Sequence, residues 1–167
     1  MTPIFDDTLE EVSEEELATL LNKLSQTPLL MGEGIRLSLA GAQEKLALTI
    51  FPDDDKYYKP SDKYISTWIL KPENRNFPDL IYNEYFCMKL AGLMGLNVAE
   101  CKIRMFGSVT AYMTKRFDRQ NTVQRIQQED FCQGLGLSNK KYQRTEGGPS
   151  IKQCFQFIHN NLANKAK

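Results

Sequence analysis

The sequence has few of the residue patterns that mark metal, membrane or nucleic-acid proteins. Its 167 residues include one histidine and four cysteines, with no C-x-x-C pair, so a zinc site is not expected. Its 21 basic residues balance 21 acidic ones, which removes a general attraction to nucleic acid or anionic membranes. No run approaches the roughly 20 apolar residues that span a bilayer, and the first residues are acidic where a secretory signal would be basic. We therefore expect a cytoplasmic protein with no metal site of its own, no direct nucleic-acid partner and no membrane.

The scarce sulfur and imidazole side chains are not expected to carry chemistry. Cys87 lies in an apolar helical pattern and Cys101 in a strand-like one, where a reduced cysteine behaves as a small hydrophobic residue. We expect these two, with Cys132 and Cys154, to be core thiols. His159, in "FQFIHNNL", is predicted to be an exposed or half-buried helix residue.

Helical patterns open and close the chain. Ser13 followed by Glu16 forms a capping box before leucines at helical spacing, which predicts an amphipathic helix over residues 13–25. The strongest helix is predicted over residues 79–94, with Asp79 as its cap and a wide apolar surface. A short helix in "QQEDFCQGLGL" and a last helix from Ile151 follow.

The middle of the chain alternates with period two, which indicates strands. Two strands flank the small residues of "RLSLAGAQEKLALTI" (36–50). A third strand is predicted from the β-rich run "YISTWIL" (64–70), which ends at Lys71-Pro72. "CKIRMFG" and "SVTAYMTKRF" form a predicted hairpin that turns at Gly107-Ser108. The 41% hydrophobic content is enough for a core. These elements predict an α+β domain.

The small residues between the first two strands allow two interpretations. Ser38, Ala40, Gly41 and Ala42 leave backbone N–H groups unshielded, as main-chain binding of a polyphosphate requires. The segment matches neither the Walker A loop nor G-x-G-x-x-G. From the residues alone, it is either a plain hairpin turn or a phosphate-binding loop.

Two charged residues in apolar surroundings extend this question. Lys71, at the predicted strand end, either reaches solvent or faces an anion. Glu84 borders a helical apolar stripe, so it is either a glutamate at the solvent rim or the partner of a cation. A lysine facing phosphate and held by a helix glutamate behind a small-residue loop is the arrangement of a kinase nucleotide lobe.

Six motifs together resemble one family. "RLSLAGAQEKLAL", "WILKP", "YNEYFCMKLAGLMGLNV", "TKRFDR", "QEDFCQGLG" and "EGGPSI", in this order, resemble the HipA family of bacterial serine/threonine protein kinases, the toxins of HipBA-type toxin–antitoxin systems. The resemblance runs from about residue 15 to the last residue. It implies an antiparallel β-sheet kinase-like N-lobe with a packed helix over residues 31–118. An N-terminal helical segment, 1–30, would precede this lobe, and the hinge and first helices of an incomplete all-α C-lobe, 119–167, would follow it.

The resemblance also implies an ATP site with Mg²⁺. Lys71 would contact the phosphates and Glu84 would orient it, while Lys115 and Phe117 would lie where the hinge meets adenine. The family's usual glutamate is replaced by Lys115, which a backbone contact to adenine tolerates and a side-chain contact does not. Ser38 matches a serine whose autophosphorylation switches these kinases off, and a charge of about −2 beside the loop would oppose ATP. The phosphate loop itself would comprise Ala40, Gly41, Ala42, Gln43 and Lys45.

The family's catalytic residues have no match in this sequence. HipA kinases carry a catalytic aspartate in a "D-G-H-x-x-N" loop and a metal-binding aspartate after it, and we find neither, so no catalytic residue and no metal ligand is assigned. We expect the ATP-binding portion of a kinase that is inactive alone, with the Mg²⁺ ligands in a missing or separately encoded C-lobe. In the intact family the substrate is an aminoacyl-tRNA synthetase and the partner a HipB-like antitoxin. The alternative is a non-catalytic kinase remnant that binds a partner lobe or antitoxin, and the apolar face of the last helix predicts self-association.

Overall fold

The fold was described from a computed structural model, which describes residues 9–26, 44–74, 78–137, 145 and 147–162. The chain forms two compact units, Met1–Ile126 and Gln127–Lys167. The predicted division after residues 30 and 118 stays a prediction. The elements of the first unit are β1 (Glu11–Val12), α1 (Glu14–Gln26), β2 (Leu46–Leu48), β3 (Tyr57–Tyr58), β4 (Trp68–Pro72), α2 (Leu80–Leu93), β5 (Cys101–Phe106) and β6 (Val109–Lys115), and those of the second are α3 (Phe131–Gly134) and α4 (Ile151–Leu162).

A four-stranded antiparallel sheet organises the first unit. Its strand order is β2-β4-β6-β5, and β1 pairs with β3 in a separate two-stranded sheet. In the register of the larger sheet, Lys71 of β4 lies opposite Tyr112 of β6. Strands β5 and β6 form the predicted hairpin, in which Phe106 pairs with Val109 across the turn. The prediction of an antiparallel α+β fold is confirmed.

Helix α1 covers one face of this sheet. The Ser13 hydroxyl accepts a hydrogen bond from the Glu16 backbone N–H at 3.1 Å, so the predicted cap is present. Since alternate strand residues face the same side, a single core forms between the helix leucines and one face of the strands. That core contains Val12, Leu17, Leu21, Leu24, Leu46, Leu48, Tyr57, Trp68, Leu70, Phe106, Ala111 and Met113.

Helix α2 packs on the opposite face of the sheet. Ile81 is fully buried with Cys101 and Tyr112, while half of the predicted wide apolar surface, Phe86, Leu90 and Leu93, is exposed. The predicted cap is wrong in its chemistry, because Asp79 adopts left-handed backbone angles and its side chain makes no capping hydrogen bond.

Strand β4 begins later than the pattern predicts. The run from Tyr64 is rich in β-prone residues, but before Trp68 its backbone bonds to other segments: Ile65 N–H donates to Thr122 O and Thr67 N–H to Leu48 O, both outside β6. The Thr67 hydroxyl also bonds to Ile50, donating to its O at 3.0 Å and accepting from its N at 2.9 Å. The ladder with β6 starts at Trp68. The predicted strand before the small-residue loop lies outside the described residues, and the two-residue strands β1 and β3 are too short to show a period.

The prediction that all four cysteines are core thiols is wrong for Cys87. It lies on the exposed side of α2, where its thiol contacts the Asn83 side-chain oxygen at 3.9 Å. Cys101 and Cys132 are buried and Cys154 is half-buried. The exposed position of His159 agrees with its prediction.

The second unit contains the two predicted C-terminal helices. Asp130 caps α3 in a capping box with Gln133, and the rings of Phe131 and Phe157 meet edge to face at 6.1 Å between centroids. These aromatic residues line a cavity of about 410 Å³. On α4, the apolar side chains of Ile151, Phe155 and Ile158 are exposed. Within the ranges given above, the helices are too short or too polar to traverse a bilayer.

Candidate functional site

A lysine–glutamate pair lies between the sheet and α2. The Lys71 ammonium donates to both oxygens of Glu84, at 2.9 Å and 2.7 Å. The sequence positions the pair in two ways: Lys71 follows Leu70 in β4 and so points to the face opposite the leucine core, and Glu84 lies one helical turn after Ile81, which anchors α2 on that face. The two side chains are 21% and 28% exposed, so the pair is covered but open to solvent at one side.

Two further side chains complete the surroundings of this pair. The Lys71 ammonium lies 5.7 Å from the centroid of the Tyr112 ring, in cation–π range. Burial raises the pKa of Tyr112 to about 12, so its hydroxyl stays protonated at neutral pH. Burial, and then the positive charge of Lys71, lower the pKa of Lys45, while Glu84 and Glu44 raise it. Lys45, directly before β2, thus lies within electrostatic range of the pair.

The charges around the pair are two ammonium groups, Lys71 and Lys45, and two carboxylates, Glu84 and Glu44. Glu84 fixes the position of the Lys71 ammonium. An ammonium held in this way presents oriented donors to an anion. Tyr112, which the pattern analysis did not select, lies beneath this site because its register partner is Lys71.

The predicted adenine segment is found where β6 ends. Lys115 lies within 3.8 Å of Glu100, and its backbone N–H donates to Glu100 O. Phe117 exposes 74% of its surface. Among the described residues, the main chain of Phe117 makes no backbone hydrogen bond, whereas the N–H of its neighbour Arg116 donates to Thr67 O at 2.8 Å.

A buried charge cluster, which we call the RFDR cluster, flanks Phe117. The Asp118 carboxylate accepts from Arg116 at 3.0 Å and 2.8 Å and from Arg119 at 2.7 Å. Ser66 joins both arginines, since its hydroxyl accepts from Arg116 at 3.2 Å and its carbonyl from Arg119 at 2.8 Å. Hydrogen bonding from Arg116 holds the pKa of Asp118 below its ordinary value. Sequence reasoning missed this cluster; the only available signal was the pair of arginines on either side of one aspartate.

The other predicted site residues belong to the small-residue segment and its preceding strand. Ser38, Ala40, Gly41, Ala42 and Gln43 all lie outside the described residues. Of the predicted nucleotide residues, the structure thus brings together Lys45, Lys71 and Glu84, and it places Lys115 and Phe117 at the end of β6. Their binding roles stay predictions.

The described side chains do not assemble a metal site. Within that part of the chain, no group of three or more histidine, cysteine, aspartate or glutamate side chains converges on one point. A Mg²⁺ ion needs several oxygen ligands in near-octahedral geometry. The described residues therefore do not fit a protein-held Mg²⁺ ion.

A strand lysine held by a glutamate of the helix on the same sheet is the arrangement that protein kinases use at nucleotide phosphates. The fold and the pair together define an antiparallel α+β domain with a kinase-type lysine–glutamate pair. The chain belongs to the family of HipA-like C-terminal domains, whose family model matches residues 37–167. The family resemblance stated from the motifs is confirmed, and the assignment to the amino-terminal lobe stays a prediction.

Curated relatives agree with this membership. The chain is 38% identical over 169 residues to "Putative kinase Y4mE" of Sinorhizobium fredii, covering 98% of this chain and 40% of that protein. It is 36% identical over 161 residues to the serine/threonine-protein kinase toxin HipA of Shewanella oneidensis, covering 92% of this chain and 36% of the toxin. The chain thus spans about two fifths of the length of each.

A solved structure has the same fold. HipA from Shewanella oneidensis, in a complex with HipB and operator DNA, superposes with a TM-score of 0.62 at 30% identity. The match covers 91% of this chain and 36% of that one.

Proposed function

We propose that this chain is the ATP-binding portion of a HipA-like serine/threonine protein kinase and that it acts in the cytoplasm. The observation that carries the proposal is the Lys71–Glu84 pair, in which both carboxylate oxygens accept from one ammonium. With Lys45 in electrostatic range, this site offers a triphosphate two cations, one of which is held in a fixed orientation.

Each residue has a separate task in this proposal. Lys71 and Lys45 neutralise phosphate oxygens, and Glu84 keeps the Lys71 ammonium on the side of the sheet where the phosphates lie. The segment 40–43 supplies backbone N–H donors, and the main chain around Phe117 pairs with the edge of adenine. Mg²⁺, when bound to ATP, neutralises phosphate charge, and its protein ligands come from outside the described residues.

We also propose that the 167-residue chain transfers no phosphate by itself. Phosphoryl transfer needs a carboxylate that orients the acceptor hydroxyl and metal ions that neutralise the developing charge, and no "D-G-H-x-x-N" loop occurs in this sequence. An aminoacyl-tRNA synthetase as substrate and Ser38 as a regulatory phosphorylation site are proposals that apply to the intact kinase.

Calorimetric titration with ATP and Mg²⁺ tests the nucleotide site. We expect binding by the wild-type chain and a loss of about tenfold or more in Lys71→Ala, since a hydrogen bond to a charged group contributes about 1.5 to 3 kcal/mol. Lys23→Ala is the matched control, because it removes the same charge from α1, on the opposite face of the sheet. Equal affinities of the two variants would contradict the role of Lys71. ATP-dependent phosphorylation by the purified chain, abolished in Lys71→Ala, would contradict the proposed inactivity.

A second candidate function is that of a non-catalytic interaction module. The exposed apolar side chains of α2, of which Leu93 is 86% exposed, favour a protein surface as partner. A HipB-like antitoxin or a separately encoded kinase lobe is the proposed partner, since the Shewanella oneidensis HipA is found with HipB. A chain that binds such a partner with unchanged affinity in Lys71→Ala, and that does not bind ATP, would favour this function over the first.

A further inference from the structure

The RFDR cluster presents a free segment of main chain at the end of β6. Phe117 lies between two residues whose side chains are almost completely buried, Arg116 and Asp118, yet its own ring is exposed. The chain on both sides is fixed by hydrogen bonds: Arg116 N–H donates to Thr67 O, and Ile126 N–H donates to Asp118 O at 3.0 Å. Between these fixed points, the main chain of Phe117 makes no backbone hydrogen bond to any residue that the structure describes.

The cluster is poorly explained as a device for stability. Buried ion pairs lose most of their Coulomb attraction to desolvation and are often replaced by apolar residues without loss of stability. This cluster also holds two arginines for one aspartate. In addition, the Nη2 group of Arg119, whose side chain is only 4% exposed, finds no hydrogen-bond acceptor in the described part of the chain. An unsatisfied buried donor of this kind lowers stability.

The cluster is well explained as a device for position. Two arginines bind the same carboxylate, and both reach Ser66, which lies at the entry to β4 and 50 or 53 positions away in sequence. Guanidinium groups hydrogen bond in fixed planar geometry, so these contacts set both the direction and the distance of the segment. Lys71, which follows in β4, thus lies on the same strand to which the segment is tied.

We propose that Arg116, Asp118, Arg119 and Ser66 are positioning residues that hold the Phe117 main chain in register with Lys71, so that one planar base and its phosphates are bound together. The inference rests on the proposed ATP site. It assigns to the cluster a role in binding the base of the ligand and none in binding its phosphates.

Binding of ATP and of inorganic tripolyphosphate by the same variants separates these two parts. In Asp118→Asn, which keeps the shape of the side chain, we expect ATP affinity to fall about tenfold, as for the loss of one charge-assisted hydrogen bond. Tripolyphosphate affinity should change less than about twofold, because Lys71 and Lys45 are untouched. Ser66→Ala removes only one hydroxyl, so it should fold and show a smaller change in the same direction. If Asp118→Asn does not fold, the ATP and tripolyphosphate affinities of Ser66→Ala provide the test.

Leu24→Ala is the control for stability. It lies in the core under α1 and should lower the free energy of unfolding while leaving the ratio of ATP to tripolyphosphate affinity unchanged. A cluster with a merely structural role would leave this ratio unchanged in Ser66→Ala and Asp118→Asn as well, and that result would overturn the inference while the proposed function stands. A wild-type chain that binds neither ligand would overturn both.

Discussion

The Lys71–Glu84 pair should contribute measurably to the stability of the first unit. Two unit charges 4 Å apart attract by about 1 kcal/mol in water and by about 4 kcal/mol at an effective dielectric constant of about 20. With 21% and 28% of the side chains exposed, the pair lies between these limits, and desolvation subtracts from the attraction. We therefore expect a coupling free energy of about 1 to 2 kcal/mol, above that of exposed pairs.

A double-mutant cycle with Lys71→Met and Glu84→Gln measures this coupling. Trp68 is the single tryptophan of the chain and lies in the same strand as Lys71, so its fluorescence during urea unfolding reports on this sheet. The free energy of unfolding of the double variant, compared with those of the single variants, isolates the pairwise contribution.

Lys56 and Glu11 provide a matched control pair. Their charged atoms are 2.8 Å apart, a similar distance, but their side chains are 56% and 51% exposed. We expect a smaller coupling that vanishes at high salt, since solvent screens exposed charges. A Lys71–Glu84 coupling no larger than that of the control pair, or below about 0.3 kcal/mol, the usual error of additivity, would refute the reasoning.

Three further predictions concern single contacts. In Gly134→Ala the new Cβ would lie 2.7 Å from the Phe157 ring, so we expect overpacking to lower the stability of the second unit by about 1 to 3 kcal/mol. Hydrogen exchange in that unit measures this loss. A stabilised variant, as helix propensity alone would give, would contradict the expectation. Hydrogen bonds from Arg116 lower the pKa of Asp118, so its folded value lies below the unfolded one of about 3.9. The free energy of unfolding of the wild-type chain should therefore fall as the pH drops below about 4, and that of Asp118→Asn should fall less. Parallel plots of unfolding free energy against pH for the two chains would disprove this. Thr67→Val removes both hydrogen bonds to Ile50 and should lower the free energy of unfolding in urea by about 1 to 3 kcal/mol. Thr67→Ser keeps the hydroxyl and should lose less. Equal losses in the two variants would argue against the role of the hydroxyl.

The sequence predicted the parts of the site that depend on local pattern. Alternation of polarity placed the β5–β6 hairpin, and helical spacing placed Glu84 on the border of an apolar stripe, where a cation partner was one of two stated possibilities. The observed contact with Lys71 selects that possibility, because both groups lie on the face of the sheet that α2 covers.

The parts that depend on distant contacts could not be predicted. Ser66 and Arg119 are separated by 53 positions, and no local pattern shows that an arginine after β6 reaches a carbonyl before β4. For the same reason the start of β4 was predicted too early, since the Thr67 hydroxyl bonds to a residue of a different strand segment. The exposure of Cys87 also depends on how α2 is rotated on the sheet, which its apolar residues do not define because they lie on most sides of the helix.

The pairing of Lys71 with Tyr112 across β4 and β6 also guards against a misfolded sheet. Side chains alternate between the two faces of a strand, so sliding β4 by one residue against β6 would move the Lys71 ammonium into the leucine layer beneath α1. There it would meet no carboxylate, and an unpaired charge buried among apolar side chains costs far more than a misplaced leucine. The residue proposed to receive the phosphates thus also destabilises a sheet in which β4 has slipped by one residue, before any ligand is present.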